Sequence, residues 1–258
     1  MKFTFLGTGT SQGVPAIGCD CAVCTSSDPR DRRLRTSGML TTENGKNIVI
    51  DVGPDFRQQM LTAKVKNLHA AIFTHEHTDH MIGIDDLRPF NFQMRCAMPL
   101  YAAPPVSAAL KQRFDYAFSE TPYPGAPVLL LKNIDKNKPF LIAEVDDLSV
   151  LPIEIMHGRM PILGFRINNF AYITDCKTIE YIEFKKLEGV TTLVLNALHH
   201  TEHHAHLTLA QAIALAQQVG AARTFFVHQS HRFGKYEDIA PTLPKGCFLA
   251  YDGLEIEI

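Results

Sequence analysis

The sequence predicts an α/β protein in which two β-sheets pack face to face and helices flank them. Three observations predict it. Short apolar runs of strand length alternate with helix-period segments along the chain. Strand candidates fall in both halves, at 2–6, 39–51, 70–74 and 99–102 and again at 148–156, 165–174, 192–198 and 224–227. Several of these runs end in a histidine or an aspartate. No fixed-period repeat or shift in composition marks a boundary, so residues 1–258 are read as one domain.

Composition narrows the function classes. Apolar residues make up 46% of the 258, enough for a sizeable core. No stretch approaches the roughly 20 apolar residues of a membrane span. The apolar run before Gly7-Thr8-Gly9 is too short for a signal peptide, so a cytoplasmic protein is expected. A net charge of −2 gives no general attraction to nucleic acid or to a membrane surface. Residues 30–35 carry four arginines and one aspartate, a run read as a solvated face.

Taken in order, residues 2–6 form a strand that enters the loop Gly7 to Gly13. A phosphate cradle would need a helix next, but Val14-Pro15 follows, so the loop is read as a tight turn near the site. Residues 39–43 and 47–51 are a hairpin about Asn44-Gly45. Pro54 opens a helix carrying Phe56, Met60 and Leu61, and Val65 to Leu68 leads into the strand at 70–74. A helix is expected from Met81, with Arg88 paired to Asp85 or Asp86, and another over 106–118. Residues 119–140 hold four prolines and are expected to be variable and free of chemistry. In the second half, strands at 165–167 and 170–174 pair about Asn168-Asn169. Helices are expected at 179–187, 207–219 and 236–243, with closing strands at 248–251 and 254–258.

The chemistry concentrates in His75-Glu76-His77-Thr78-Asp79-His80, directly after the apolar run 70–74. Imidazoles and a carboxylate this close repel if protonated and cost desolvation if buried alone, and a metal removes both problems. His75 and His77 can point the same way from extended chain, while Asp79 and His80 lie beyond a bend. Other strand runs end at His157, Asp175 and His228. Two coordination sets result, His75, His77 and His157 for one ion and Asp79, His80 and His228 for the other, with Asp175 bridging. An open position for water between the ions fits a catalytic site. His206, at the start of the helix read over 207–219, is the candidate for contacting a phosphate or protonating a leaving oxygen. His199, His200, His203 and His204 are read as exposed. Cys19, Cys21 and Cys24 suggest a metal before a disulfide, and His231 is the candidate fourth ligand.

These motifs resemble the phosphodiesterase subgroup of the metallo-β-lactamase superfamily, whose type activity is on phosphoribosyl 1,2-cyclic phosphate. The resemblance rests on Gly7-Thr8-Gly9, Gln12-Gly13-Val14-Pro15, Cys19 to Cys24, His75 to His80, His228-Gln229-Ser230-His231 and Asp252-Gly253. It implies an αβ/βα four-layer sandwich with two divalent ions (Mn or Zn) on the seven ligands above. It also implies a structural Zn on Cys19, Cys21, Cys24 and His231, with Asp79 and His206 serving catalysis, and a homodimer. A small cyclic phosphate diester is the expected substrate, nucleic acid and membrane being no expected partners. Two alternatives stand beside it. One is tRNA 3′-end processing, for which no separate basic arm is found. The other is an accessory protein of pyrroloquinoline-quinone biosynthesis, against which the intact ligand set argues.

Overall fold

The computed structural model describes residues 1–258. The first half supplies β1 (Lys2–Gly7), β2 (Ser37–Thr41), β3 (Asn47–Ile50), β4 (Ala70–Ile72), β5 (Met98–Ala102) and β6 (Leu129–Asn133). Between them lie α1 (Phe56–Thr62), α2 (Thr78–Met81), α3 (Arg88–Met94), α4 (Pro104–Arg113) and α5 (Asp115–Phe118). The second half supplies β7 (Phe140–Ile142), β8 (Leu148–His157), β9 (Met160–Ile167), β10 (Phe170–Ile173), β11 (Thr192–Asn196), β12 (Arg223–Val227) and β13 (Cys247–Leu249). Its helices are α6 (Tyr181–Phe184), α7 (Leu209–Val219) and α8 (Tyr236–Ile239), and β14 (Glu255–Glu257) crosses back to pair with β1.

The two sheets run β14-β1-β2-β3-β4-β5-β6 and β13-β12-β11-β10-β9-β8-β7. Each begins antiparallel and continues parallel: β1 to β3 then β3 to β6, and β7 to β10 then β10 to β13. The inner parallel strands β4, β5, β11 and β12 are buried on both faces, which is why they read as unbroken apolar runs. Period two sorts their side chains. Ile48 and Ile50 face the layer between the sheets, with Phe3, Phe5, Phe165, Phe170 and Val194. Val49 faces the opposite side, against Phe56, Met60 and Leu110 of α1 and α4. In the other sheet Leu193 and Leu195 face outward, onto Leu209 and Ala212 of α7. The helix–sheet–sheet–helix layering is the expected αβ/βα four-layer sandwich.

Several local expectations need correction. Residues 119–140, expected to be variable, carry β6, and β7 begins at Phe140; the two strands each close one edge of a sheet. The helix read from 207 starts at Leu209. Thr208 is its N-cap and pairs with Gln211 in a reciprocal capping box. The basic run is not simply a solvated face. Arg33 is buried and its Nη1 donates to Thr8 Oγ1 (2.8 Å), Gln229 Oε1 (2.9 Å) and the Ala250 carbonyl (2.6 Å). Arg35 pairs with Asp55, and Arg30 with Asp28. The loop 7–13 is a turn, as read. The N–H groups of Gly9, Thr10 and Gly13 are taken by the Leu34, Gln229 and Thr10 carbonyls, so they do not cradle an anion.

Candidate active site

All seven strand-end residues converge where the carboxyl ends of β4, β8, β10 and β12 meet between the sheets. His75, His77 and His157 place one ligand atom each within 4.8 Å of one another, and so do His75, His80 and Asp175. His75 Nε2 lies 3.0 Å from His77 Nδ1. Asp79 and His228 join through these groups. His80 Nε2 is 3.2 Å from Asp79 Oδ2 and 3.4 Å from Asp175 Oδ2, and His228 Nε2 is 3.2 Å from Asp175 Oδ1. Asp175 and His228 follow their strands with φ of 55° and 64°, a left-handed turn that non-glycine residues adopt at a cost. The backbone there bends to aim a side chain rather than to continue the sheet.

Hydrogen bonds on the far side of each ring fix the tautomers. His157 Nδ1 donates to the Ala205 carbonyl (3.1 Å). Thr36 Oγ1 donates to the Gly9 carbonyl, so it accepts from His228 Nδ1 (3.2 Å). Thr74 Oγ1 donates to Asp51 Oδ2 (2.8 Å) and accepts from His75 Nδ1 (2.9 Å). His80 Nδ1 donates to Asp51 Oδ2 at 2.7 Å. In His75, His80, His157 and His228 the Nε2 lone pair is therefore left facing the cluster, the tautomer a metal requires.

The electrostatics favour a cation at the centre. Burial depresses His75, His77 and His228 towards the neutral imidazole that coordinates metal. Burial also pulls His80 down, but Asp175, Asp51 and Asp79 outweigh it and hold the ring well above the ordinary histidine range. Burial pushes Asp175 up, and His228, His80, His75 and His206 reverse that to leave it well below the usual carboxylate range. Asp79 is likewise kept low by His80 against its burial. His80 Nε2 is buried without a hydrogen bond, 3.2 Å from Asp79 but out of line with it. Two largely buried carboxylates and an imidazole nitrogen left without a hydrogen bond form a donor set that fits two divalent ions.

The sequence pattern places Asp51 only at the end of a hairpin strand. It is fully buried, has a φ of 66°, and also accepts from the Thr74 N–H at 2.8 Å. Its signal was available, because Asp51 ends the apolar run Ile48-Val49-Ile50 as Asp175 ends its own. Thr36, Thr74 and Thr10, whose Oγ1 lies 3.2 Å from His228 Nε2, carry no comparable signal.

His206 is buried in the same cluster, with Nδ1 unpartnered and 3.7 Å from Asp175 Oδ1. Its ring lies 4.7 Å from that of His157 and 4.9 Å from that of His228. Burial, reinforced by His228, lowers it to about 2, so it is neutral. It precedes the cap of α7 and is not at the helix terminus itself. Of the four histidines read as exposed, His200 and His204 are; His199 is buried and His203 half-buried.

Cys19, Cys21, Cys24 and His231 form a separate group, with all ligand atoms within 4.8 Å. His231 Nδ1 lies 3.2 Å from Cys19 Sγ and 3.5 Å from Cys21 Sγ. Tetrahedral zinc would place such atoms roughly 3.6 Å apart. The Cys24 N–H, then His231, lowers Cys21 to about 6, whereas burial pushes Cys24 to about 11. No cysteine is in a disulfide. Arg88 pairs with Asp85 at 2.9 Å, as expected.

Two face-packed sheets with this strand-end cluster define a metallo-β-lactamase-fold hydrolase. The chain belongs to the beta-lactamase superfamily, whose domain matches residues 46–229, and within it to the PhnP family. The crystal structure of a diphosphatase from that family superposes with a TM-score of 0.90 at 39% identity, covering 100% of this chain and 97% of that one. An octanoyltransferase of Porphyromonas gingivalis is 42% identical over 256 residues, 99% of this chain but 51% of that protein. The chain thus spans about half the length of that relative. Zn-bound PqqB of Methylobacterium extorquens has a TM-score of 0.81 at 20% identity, covering 100% of both chains, a likeness of fold alone.

Proposed function

We propose that this hydrolase is a phosphodiesterase that opens a small cyclic phosphate diester. The observation that carries the reading is His206, a buried neutral imidazole with a free ring nitrogen beside the ligand cluster. The 39% identity to a diphosphatase supports chemistry at phosphorus. His75, His77 and His157 would hold one divalent ion (Mn or Zn) and Asp79, His80 and His228 the other, with Asp175 shared. Ions there would supply a water of lowered pKa and neutralise charge on the phosphoryl oxygens. Asp79 stays ionised beside His80, its Oδ2 3.2 Å from His80 Nε2. In the reaction a P–O bond to a water oxygen would form, one ring P–O bond would break, and a proton lost by that water would pass to the departing oxygen. His206 donates an N–H to that oxygen or to a phosphoryl oxygen. The test is turnover of bis(p-nitrophenyl) phosphate and of nucleoside 2′,3′-cyclic phosphates by metal-loaded protein. Absence of any metal-dependent diester hydrolysis refutes it.

The octanoyltransferase relative favours a second reading, hydrolysis of an acyl thioester at the same centre. An octanoyl thioester assayed beside the diesters separates the two. Cleavage of precursor tRNA at low protein concentration would instead support the endonuclease reading. We further infer a zinc on Cys19, Cys21, Cys24 and His231, and a cytoplasmic homodimer, which light scattering would test. No helix is long and apolar enough to cross a membrane.

A further inference from the structure

We propose that a cavity along the seam between the sheets receives a nucleobase, guanine best of all, of a nucleoside cyclic phosphate. The proposal rests on the phosphodiesterase reading and names a substrate class for it. The cavity has a volume of about 520 Å³, in the range of small-molecule sites. It adjoins the metal ligands: its wall includes Thr74 and Glu76, the two neighbours of His75, and Pro161, which follows the residue paired with His157 across β8 and β9. Ring phosphate and base hang from one ribose, so a nucleoside cyclic phosphate can present both to adjoining sites.

The walls decide what can enter. Much of the surface is apolar, with Pro104, Pro105 and Val106 of α4 and Ile162 and Leu163 of β9. An anion is excluded. Lys136, the one cation of the wall, is held by Glu154 at 2.5 Å. The helix α4 opens on Pro104-Pro105, which offer no N–H at its terminus. A wholly apolar occupant is disfavoured as well, because a carboxylate without a partner lines the cavity. Of its three acids, Glu154 is paired with Lys136, and Asp135 with Lys138 and the Asn137 N–H. The half-buried Glu76 makes a hydrogen bond only through its carbonyl, to Arg113, and its carboxylate is left over. Covering that group with hydrocarbon would strip its hydration without return. The occupant is therefore apolar over most of its surface and carries N–H donors along one edge, which describes a nucleobase. Guanine matches best. Its N1–H and 2-amino group are adjacent donors for the two oxygens of one carboxylate, and its O6 can accept from the NH₂ of Asn133, whose Oδ1 is already taken by Ser107 at 2.9 Å.

The experiment uses full-length, metal-loaded protein with guanosine and uridine 2′,3′-cyclic phosphates, and a methyl riboside 2,3-cyclic phosphate as the base-free reference. The expected result is guanosine ahead of uridine by roughly ten- to a hundred-fold in kcat/KM, expressed mainly in KM. Glu76→Gln should erase that preference and favour uridine, whose N3–H and O4 match an amide. Metal content is measured in parallel, because Glu76 lies between two ligands. Ala103→Phe, which fills the cavity, should bring the guanosine diester down to the base-free one, and decides alone if Glu76→Gln loses metal. Equal turnover of guanosine and base-free diesters by the wild type, or a guanosine preference that survives either substitution with the metals in place, overturns the base site. If no cyclic diester is turned over, the phosphodiesterase reading fails. The cavity is then decided by calorimetry with guanosine and uridine themselves. Guanosine binding that Ala103→Phe abolishes supports it, and equal affinities or no binding overturn it.

Discussion

Replacing Asp51 with asparagine keeps the shape of a fully buried side chain and removes its charge. Asp51 Oδ2 accepts from His80 Nδ1 (2.7 Å) and Thr74 Oγ1 (2.8 Å), and Oδ1 accepts from the Thr74 N–H (2.8 Å). The asparagine carbonyl can satisfy the Thr74 N–H, but its NH₂ then faces two donors. His80 loses the acceptor that holds its tautomer, and Thr74 loses the partner that orients it towards His75. Hydrogen bonds to a charged group contribute about 1.5–3 kcal/mol. Loss of such a partner behind a ligating histidine lowers metal affinity about 10- to 100-fold, or about 1.4–2.7 kcal/mol. The two figures agree, so Asp51→Asn should weaken the catalytic metals by one to two decades. Chelator competition followed by elemental analysis measures this, with metal retained on the cysteine group as the internal reference. Wild-type affinity in Asp51→Asn would show that the carboxylate does not orient His80, and the reasoning would fail.

Other perturbations separate the remaining groups. Cys21→Ala should remove one zinc per chain and leave the catalytic pair, read by metal analysis; His231→Ala should do the same, and if it emptied the catalytic pair instead, the roles of His228 and His231 would be exchanged. His206→Asn should lower kcat on a diester by roughly 10²–10⁴-fold with the metal count intact, and a fall in metal content would make His206 a ligand. Arg33→Ala should cost about 3–5 kcal/mol in denaturant unfolding, because Asp252 and the acceptors Thr8, Gln229 and Ala250 lose a buried cation. Asp252 is pushed up to about 6 by burial, against the Leu34 N–H, Thr8 Oγ1 and Arg33 that face it. Its contribution to stability is therefore full below about pH 4, its unfolded range, and is lost as pH rises through about 6. Asp252→Asn should flatten the stability–pH curve relative to wild type between these values; an unchanged slope would place the titration elsewhere.

The parts of the site legible in the sequence are those whose signal is local. His75 to His80 is contiguous, and His157, Asp175 and His228 each follow an apolar run long enough to be read as a strand. The alternate facing of Ile48 and Ile50 against Val49, all three fully buried, likewise follows from two-sided strands. What escaped depends on partners far along the chain. Arg33 looks solvated within a run of arginines, and only Gln229 and Ala250, 196 and 217 residues away, make it a buried cross-link. Asp51 ends an apolar run as Asp175 does, but the Asn44-Gly45 turn assigns that run to a hairpin, and nothing local points to His80, 29 residues distant. The start of α7 was readable, since Thr208 and Gln211 have capping-box spacing, but the alanine-rich pattern hid the boundary.

The seam between the two sheets has a mechanical side. His75, His77, Asp79 and His80 hang from one sheet and His157, Asp175 and His228 from the other, with the Leu163 N–H bonded to the Thr74 carbonyl at 3.0 Å beside them. An ion gripped from both sides is a rivet whose strength is set from outside the molecule. Each tenfold rise in free metal above the dissociation constant adds about 1.4 kcal/mol against separation of the sheets. Metal supply would then govern how long the chain survives as well as how fast it works, and starvation for the ion would retire the enzyme by loosening it.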